Sequence, residues 1–172
     1  MNLVFKPNLK DEDEDSNCNE NKSIINTEYI QFIEPVQNVV MNDSYFIRII
    51  YSDGDASLFG LMIPMYFNGI TVLKTYNKSI IMYDLHSHRD MISKICNLEF
   101  LILERYNQLQ KLFHKHEKNP VYNLTSQLRS CSVKLFDDIN SKLDECNIVL
   151  KISGIWENDK EIGITFKFIL LC

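Results

Sequence analysis

Apolar runs rich in β-branched and aromatic residues, separated by polar turn signals, fill most of the chain, and one stretch has helical spacing instead. Residues 45–51 (YFIRIIY) are rich in β-branched and aromatic residues and predict a strand. Residues 24–40 alternate weakly and contain Pro35, which suits an edge or bulged strand. A Ser-Asp-Gly-Asp turn signal at 52–55 leads to a strand over residues 57–67, whose central Pro64 restricts it to an edge or a bulge. Asn68-Gly69 is a strong hairpin signal, with residues 70–76 predicted to pair back. A turn at Asn77-Lys78 then precedes a strand over residues 79–85.

From residue 89 the spacing becomes helical. Met91, Ile95, Leu98, Ile102, Leu109 and Leu112 predict one amphipathic helix over about 89–113, with Ser87 and Asp90 as its capping box. Residues 114–120 close the helix. The stretch from 122 has no clear period until residues 132–136, which read as a strand. Residues 137–146 form a polar connection with room for a short helical turn. Residues 147–172 read as two strands around a polar turn, a C-terminal hairpin that holds the chain's single tryptophan.

Runs of strands interrupted by one helix predict a mainly β, α+β fold, an antiparallel OB-like barrel with one inserted amphipathic helix. The candidate strands number more than the five of a simple OB barrel, so the expected barrel is an elaborated one. The chain has 172 residues, 45% of them hydrophobic, enough for one domain with a real core, expected over residues 23–172. Residues 1–22 are polar and acidic, with an unbroken run from Asp11 to Asp15, and are expected to form a disordered tail. The formal net charge of −5 argues against a nucleic-acid partner at first sight. The tail changes that balance: it holds three basic and six acidic side chains, and the remainder carries 15 basic against 17 acidic. Between His86 and Lys134 eight basic residues face four acidic ones.

Five cysteines without a C-x-x-C pair imply free thiols and a reducing compartment. No signal peptide is apparent, and the longest apolar run, residues 58–67, is about half of the ~20 residues a membrane span needs. An intracellular protein without a membrane role is expected. The four histidines form two H-x-H pairs, His86/His88 and His114/His116, at opposite ends of the predicted helix. A straight helix would hold the pairs roughly 35–40 Å apart, and two ligands are fewer than a zinc site uses. Cys96 at helical spacing reads as core. Asp53 and Asp55 sit where a turn favours aspartate, and no phosphate loop or paired nucleophile and base is present. Neither a metal, a cofactor nor an enzymatic activity is expected.

What remains is an interleave of basic and aromatic residues. Arg48 lies between Phe46 and Tyr51, Lys74 precedes Tyr76, Lys134 neighbours Phe136, and Lys151, Trp156 and Lys167 lie in the terminal hairpin. Single-stranded nucleic acid needs this mixture, because cations neutralise phosphates and aromatic faces stack bases. Any sheet with aromatics inside and lysines outside gives the same alternation. Trp156 stands just before the polar turn and suits either a stacking platform or a plug at a barrel end.

The hairpin LKISGIWENDKEIGITFKFILL, residues 150–171, resembles the C-terminal motif of OB-fold single-stranded DNA-binding proteins of large double-stranded DNA viruses of eukaryotes, relatives of the phage-type proteins. The similar features are Lys-x-Ser-Gly-x-Trp-Glu at 151–157, the polar turn, and Gly163 followed by Thr165, Phe166 and Lys167. A weaker stretch is residues 119–134, with Tyr-x-Leu and Gln-Leu before Val133-Lys134. The resemblance implies sequence-tolerant binding of single-stranded DNA in viral replication or recombination, at the host nucleus or a cytoplasmic replication site. Replication proteins are the partners it implies for an acidic tail. The phage-type proteins carry that tail at the C-terminus, whereas here the acid lies at the N-terminus and the chain ends FILLC. The alternative is an oligomeric viral structural or interaction protein that binds no nucleic acid, its apolar last strand pairing with a neighbouring chain.

Overall fold

A computed structural model describes residues 25–41, 43–52, 57–76, 78–113, 116–136 and 142–171. The expected tail over 1–22 and the Asp53–Asp55 turn lie outside these residues. Strand makes up 48% of the described residues, so the mainly β expectation holds. The elements are β1 (Ile30–Phe32), β2 (Val36–Gln37), β3 (Tyr45–Ser52), β4 (Ser57–Phe59), β5 (Leu61–Asn68), β6 (Thr71–Thr75), β7 (Lys78–Met82), α1 (Arg89–Leu112), β8 (Asn119–Val121), α2 (Asn123–Arg129), β9 (Ser132–Leu135), β10 (Glu145–Glu157) and β11 (Glu161–Leu170).

Eight strands form one strongly curled, half-barrel sheet, and β6, β7 and β9 form a second, small one. The curl has a local cause in β10. This strand pairs with β11 along one edge, while its other edge is shared: residues 145–152 pair with β5 and residues 154–157 with β3. The changeover falls at a bulge between Ile152 and Gly154, where one extra residue, Ser153, bends the strand and sharpens its twist. Gly60 serves the same junction from the opposite side. There the chain passes from β4, paired with β3, to β5, paired with β10. Gly60 has φ +82°, and a Cβ on it would stand 2.6 Å from the Ile152 carbonyl oxygen. Only glycine fits that turn.

The hollow of the sheet is filled by alternate strand residues and by α1, which presents Ile92, Ile95, Leu98, Ile102 and Leu103 to one continuous core. The predicted helix is present at its predicted place, but its inner face drifts in the last turns. Leu112 is exposed, while Tyr106, Asn107 and Gln110 are buried. The polar side chains hold these positions because they find partners. The Tyr106 hydroxyl donates to Glu157 Oε2 at 2.9 Å, and the Asn107 amide bonds the backbone of Lys118 in both directions, at 2.9 and 3.2 Å. Lys118 Nζ completes the cluster, 3.3 Å from Glu157 Oε2 and 2.6 Å from the Asn158 carbonyl oxygen. Burial, and next the bond to Glu157, push the Tyr106 hydroxyl well above the ordinary tyrosine range.

Several expectations need correction. Among the described residues there are two α-helices, not one, and β8 runs parallel to β11 within the otherwise antiparallel sheet. The expected Ser87–Asp90 capping box is absent. Asp84 caps that turn instead, its Oδ2 accepting from the Ser87 amide at 2.9 Å and the Ser87 hydroxyl at 2.7 Å, bonds that lower the Asp84 pKa. Asn68-Gly69 does turn the chain, with φ +59° at Gly69, but no hairpin follows. The next strand, β6, pairs with β7, and the Ile70 amide bonds the Asp144 carbonyl at 3.1 Å.

The second helix, α2, is held by a residue far away in sequence. Glu99 on α1 is fully buried, and its carboxylate accepts the Leu124 amide at 3.1 Å, the Thr125 amide at 2.8 Å and the Thr125 hydroxyl at 2.6 Å. It thereby caps donors of the α2 start that lack a partner within the helix. Burial raises the Glu99 pKa, and the bonds from Thr125 and Leu124 offset part of that rise. A carboxyl whose pKa is raised by folding contributes most below its unfolded pKa, and that contribution is lost as pH rises through the folded value. In Glu99→Gln, one side-chain N–H faces a backbone N–H. The variant is expected to lose about 1–2 kcal/mol. Urea unfolding across a pH series should show the deficit greatest in acid and shrinking towards neutrality. A deficit independent of pH would contradict the assignment.

Candidate nucleic-acid interface

Because β3, β10 and β11 bury one set of alternate side chains, the other set faces outward, and the outward set gathers four of the seven predicted binding residues. Lys151 and Lys167 stand directly opposite one another on β10 and β11. Trp156 stands between Phe46 of β3 and Gly163 of β11, and Arg48 stands opposite Gly154. The bulge is what puts the lysine and the tryptophan on one face. Lys151 and Trp156 are five positions apart, so regular alternation would send them to opposite sides. The extra residue at Ser153 shifts the register, turning Ile152 to the core and Lys151 outward.

Two aromatic rings lie on this face, each seated on a cross-strand glycine. A Cβ at Gly163 would meet the Trp156 indole at 2.6–2.7 Å, and one at Gly154 would meet the Phe46 ring at 2.7 Å and the Ile47 carbonyl oxygen at 2.2 Å. Both rings are half-buried. Trp156 therefore lies across the outward surface of the sheet and does not plug the interior. A third ring, Phe59 of β4, is 69% exposed on the same side, with the Arg48 guanidinium 5.8 Å from its centroid. The sequence reading passed over Phe59. The signal was available in principle, since Phe46, Arg48 and Ile50 share one parity on β3 and Ile50 pairs with Phe59. Tyr51 has the other parity and packs against the core.

Lys151 and Lys167 have an unusual electrostatic position. Like charges directly opposite on neighbouring strands repel, and among the described residues no carboxylate pairs with either ammonium. Arg48 likewise has no described ion-pair partner. The described ion pairs lie elsewhere, at Asp90–Lys94, Lys111–Glu117 and Lys118–Glu157.

The other three predicted residues sit on the small sheet. Lys74 on β6 stands opposite Ser79, on the side of buried Val72. Lys134 is exposed on β9, paired with Ile80, and Tyr76 is fully exposed after β6. The small sheet does not bring these three into the row formed by Arg48, Trp156, Lys151 and Lys167.

No protein-family model, curated protein or solved structure matches the chain.

The histidine pair before α1 is divided between roles. His86 is exposed, whereas the buried His88 ring lies against Phe67 and Tyr83, with Nδ1 2.9 Å from the Asp84 carbonyl oxygen and Nε2 accepting the Asn68 amide at 3.2 Å. Those two bonds fix the Nδ1–H tautomer and tie the end of β5 to the start of α1. His114 lies outside the described residues. Among those described, no three His, Cys, Asp or Glu side chains are grouped to hold a metal ion. No described helix is long and apolar enough to cross a membrane.

Proposed function

We propose that the protein binds single-stranded DNA without sequence preference, as a non-enzymatic component of viral DNA replication or recombination, on an elaborated OB-type barrel. The observation that carries this reading is the directly opposed Lys151–Lys167 pair, free of described carboxylates, on a sheet face that also holds Arg48 and three aromatic rings. Repulsion between the two ammonium groups is relieved by a bound polyanion, and phosphates supply one. Aromatic rings beside the cations offer stacking surfaces that tolerate any base. The curled sheet supports the barrel reading, and the resemblance of residues 150–171 supports the viral setting. Lys74, Tyr76 and Lys134 on the small sheet are further candidate contacts outside that row, and the acidic residues 11–15 supply a contact for replication proteins.

Trp156 reports on this face directly. Titration with oligo-dT is expected to quench its fluorescence, with the apparent affinity falling steeply as salt is raised. If fluorescence is unchanged at low salt, with the full chain and with a chain lacking residues 1–22, the proposal fails. A stable assembly seen by light scattering together with that result would favour the oligomeric alternative.

A further inference from the structure

The three rings grouped with Arg48 on the outward face are not equivalent. Trp156 and Phe46 are each laid on a glycine and half-buried, so one side of each ring is already spent on the sheet. Phe59 differs. It stands on β4, a strand of three residues paired only with β3, and 69% of it is exposed. The Arg48 guanidinium lies 5.8 Å from the ring centroid, within the range of a cation–π contact. Arg48 is thereby held at a ring face while it lacks a described carboxylate partner. A few residues further along the chain, past the Gly60 bend, Met62 pairs with Lys151, so the ring and the opposed lysines border the same junction.

Resting on the function proposed above, we infer that Phe59, held beside Arg48, is the base-stacking platform of this face and that its ligand is a polynucleotide with unpaired bases. In a duplex the base faces are occupied by their neighbours and cannot reach a ring standing on a sheet surface. On a single strand a base stacks on the exposed phenyl while Arg48 meets the adjoining phosphate. The stacking chemistry is shared by DNA and RNA, so a uridine strand is bound through the same ring.

The test uses the full chain and fluorescence anisotropy with labelled oligo-dT, oligo-U and a strand of the same length without bases. Phe59→Ala is expected to weaken oligo-dT and oligo-U binding roughly five- to hundredfold and to leave binding of the baseless strand unchanged. Phe59→Tyr is expected to restore the loss. The exposure of Phe59 makes either substitution compatible with folding, and the thermal midpoint confirms it. Equal binding of oligo-dT by wild type and Phe59→Ala would overturn the inference and leave the proposed function standing. An equal loss on the baseless strand would overturn it too, since Phe59 would then act by positioning Arg48. Failure of the wild-type chain to bind any of the strands would overturn the proposed function and this inference together.

Discussion

Reversing a single charge, Lys167→Glu, is expected to make the protein both more stable and a weaker DNA binder. The substitution replaces a repulsive cross-strand pair with an attractive one against Lys151. Cross-strand charge pairs are worth up to ~1 kcal/mol, and removing the repulsion adds to the change. The thermal midpoint is expected to rise by roughly 2–4 °C. Affinity for oligo-dT at moderate salt is expected to fall about tenfold or more, since a phosphate contact becomes a repulsion. The neutral double variant Lys151→Gln/Lys167→Gln isolates the electrostatic part. Its plot of log affinity against log salt is expected to be shallower by about 1.4. Circular dichroism melting and anisotropy read the two effects separately. A lower midpoint, or unchanged affinity, would show that the pair was not kept in its repulsive state for an anionic ligand.

Replacing Gly154 by alanine is expected to be among the most damaging small changes in the molecule. The added methyl would stand 2.2 Å from the Ile47 carbonyl oxygen and 2.7 Å from the Phe46 ring. The ring could swing aside, but the carbonyl belongs to the backbone of β3, and moving it parts β3 from β10 beside the bulge. Overpacking against backbone costs about 3 kcal/mol, or a fall in thermal midpoint of roughly 6–12 °C. Phe46 would also be displaced from the outward face, so DNA binding at a permissive temperature should weaken. A melting curve unchanged within about 0.5 kcal/mol would mean that β3 and β10 lie farther apart than described.

The sequence disclosed what depends on near neighbours. Runs of apolar, β-branched and aromatic residues between turn signals located β3, β5, β7, β9 and the terminal hairpin, and helical spacing located α1 within a residue at its C-terminal end. It failed where the deciding partner is distant. The seven residues of α2 have little periodicity of their own, and their cap, Glu99, lies 24 residues before the helix begins. Asn68-Gly69 carries the right turn chemistry, but the edge of β5 that is paired goes to β10, almost at the end of the chain. The inner face of α1 was misjudged at Asn107 and Gln110 because polar side chains are buried there only by virtue of partners such as Lys118. The candidate site was legible as a set of residue types, yet not as a surface. Counting back from the 158–160 turn with regular pairing sets Lys151 against Phe168, and only the bulge at Ser153 sets it against Lys167.

The divided edge of β10 has a consequence for biosynthesis. β3 and β5 are made early, but the strand that joins them into one sheet begins only at Glu145. Until it emerges from the ribosome, Arg48 and Phe59 have no Lys151 or Lys167 beside them, and the edges of β3 and β5 that pair with β10 have no partner. Contacts this distant in sequence form slowly. The proposed polyanion-binding face is therefore absent until β10 and β11 have emerged, and it then forms in one step.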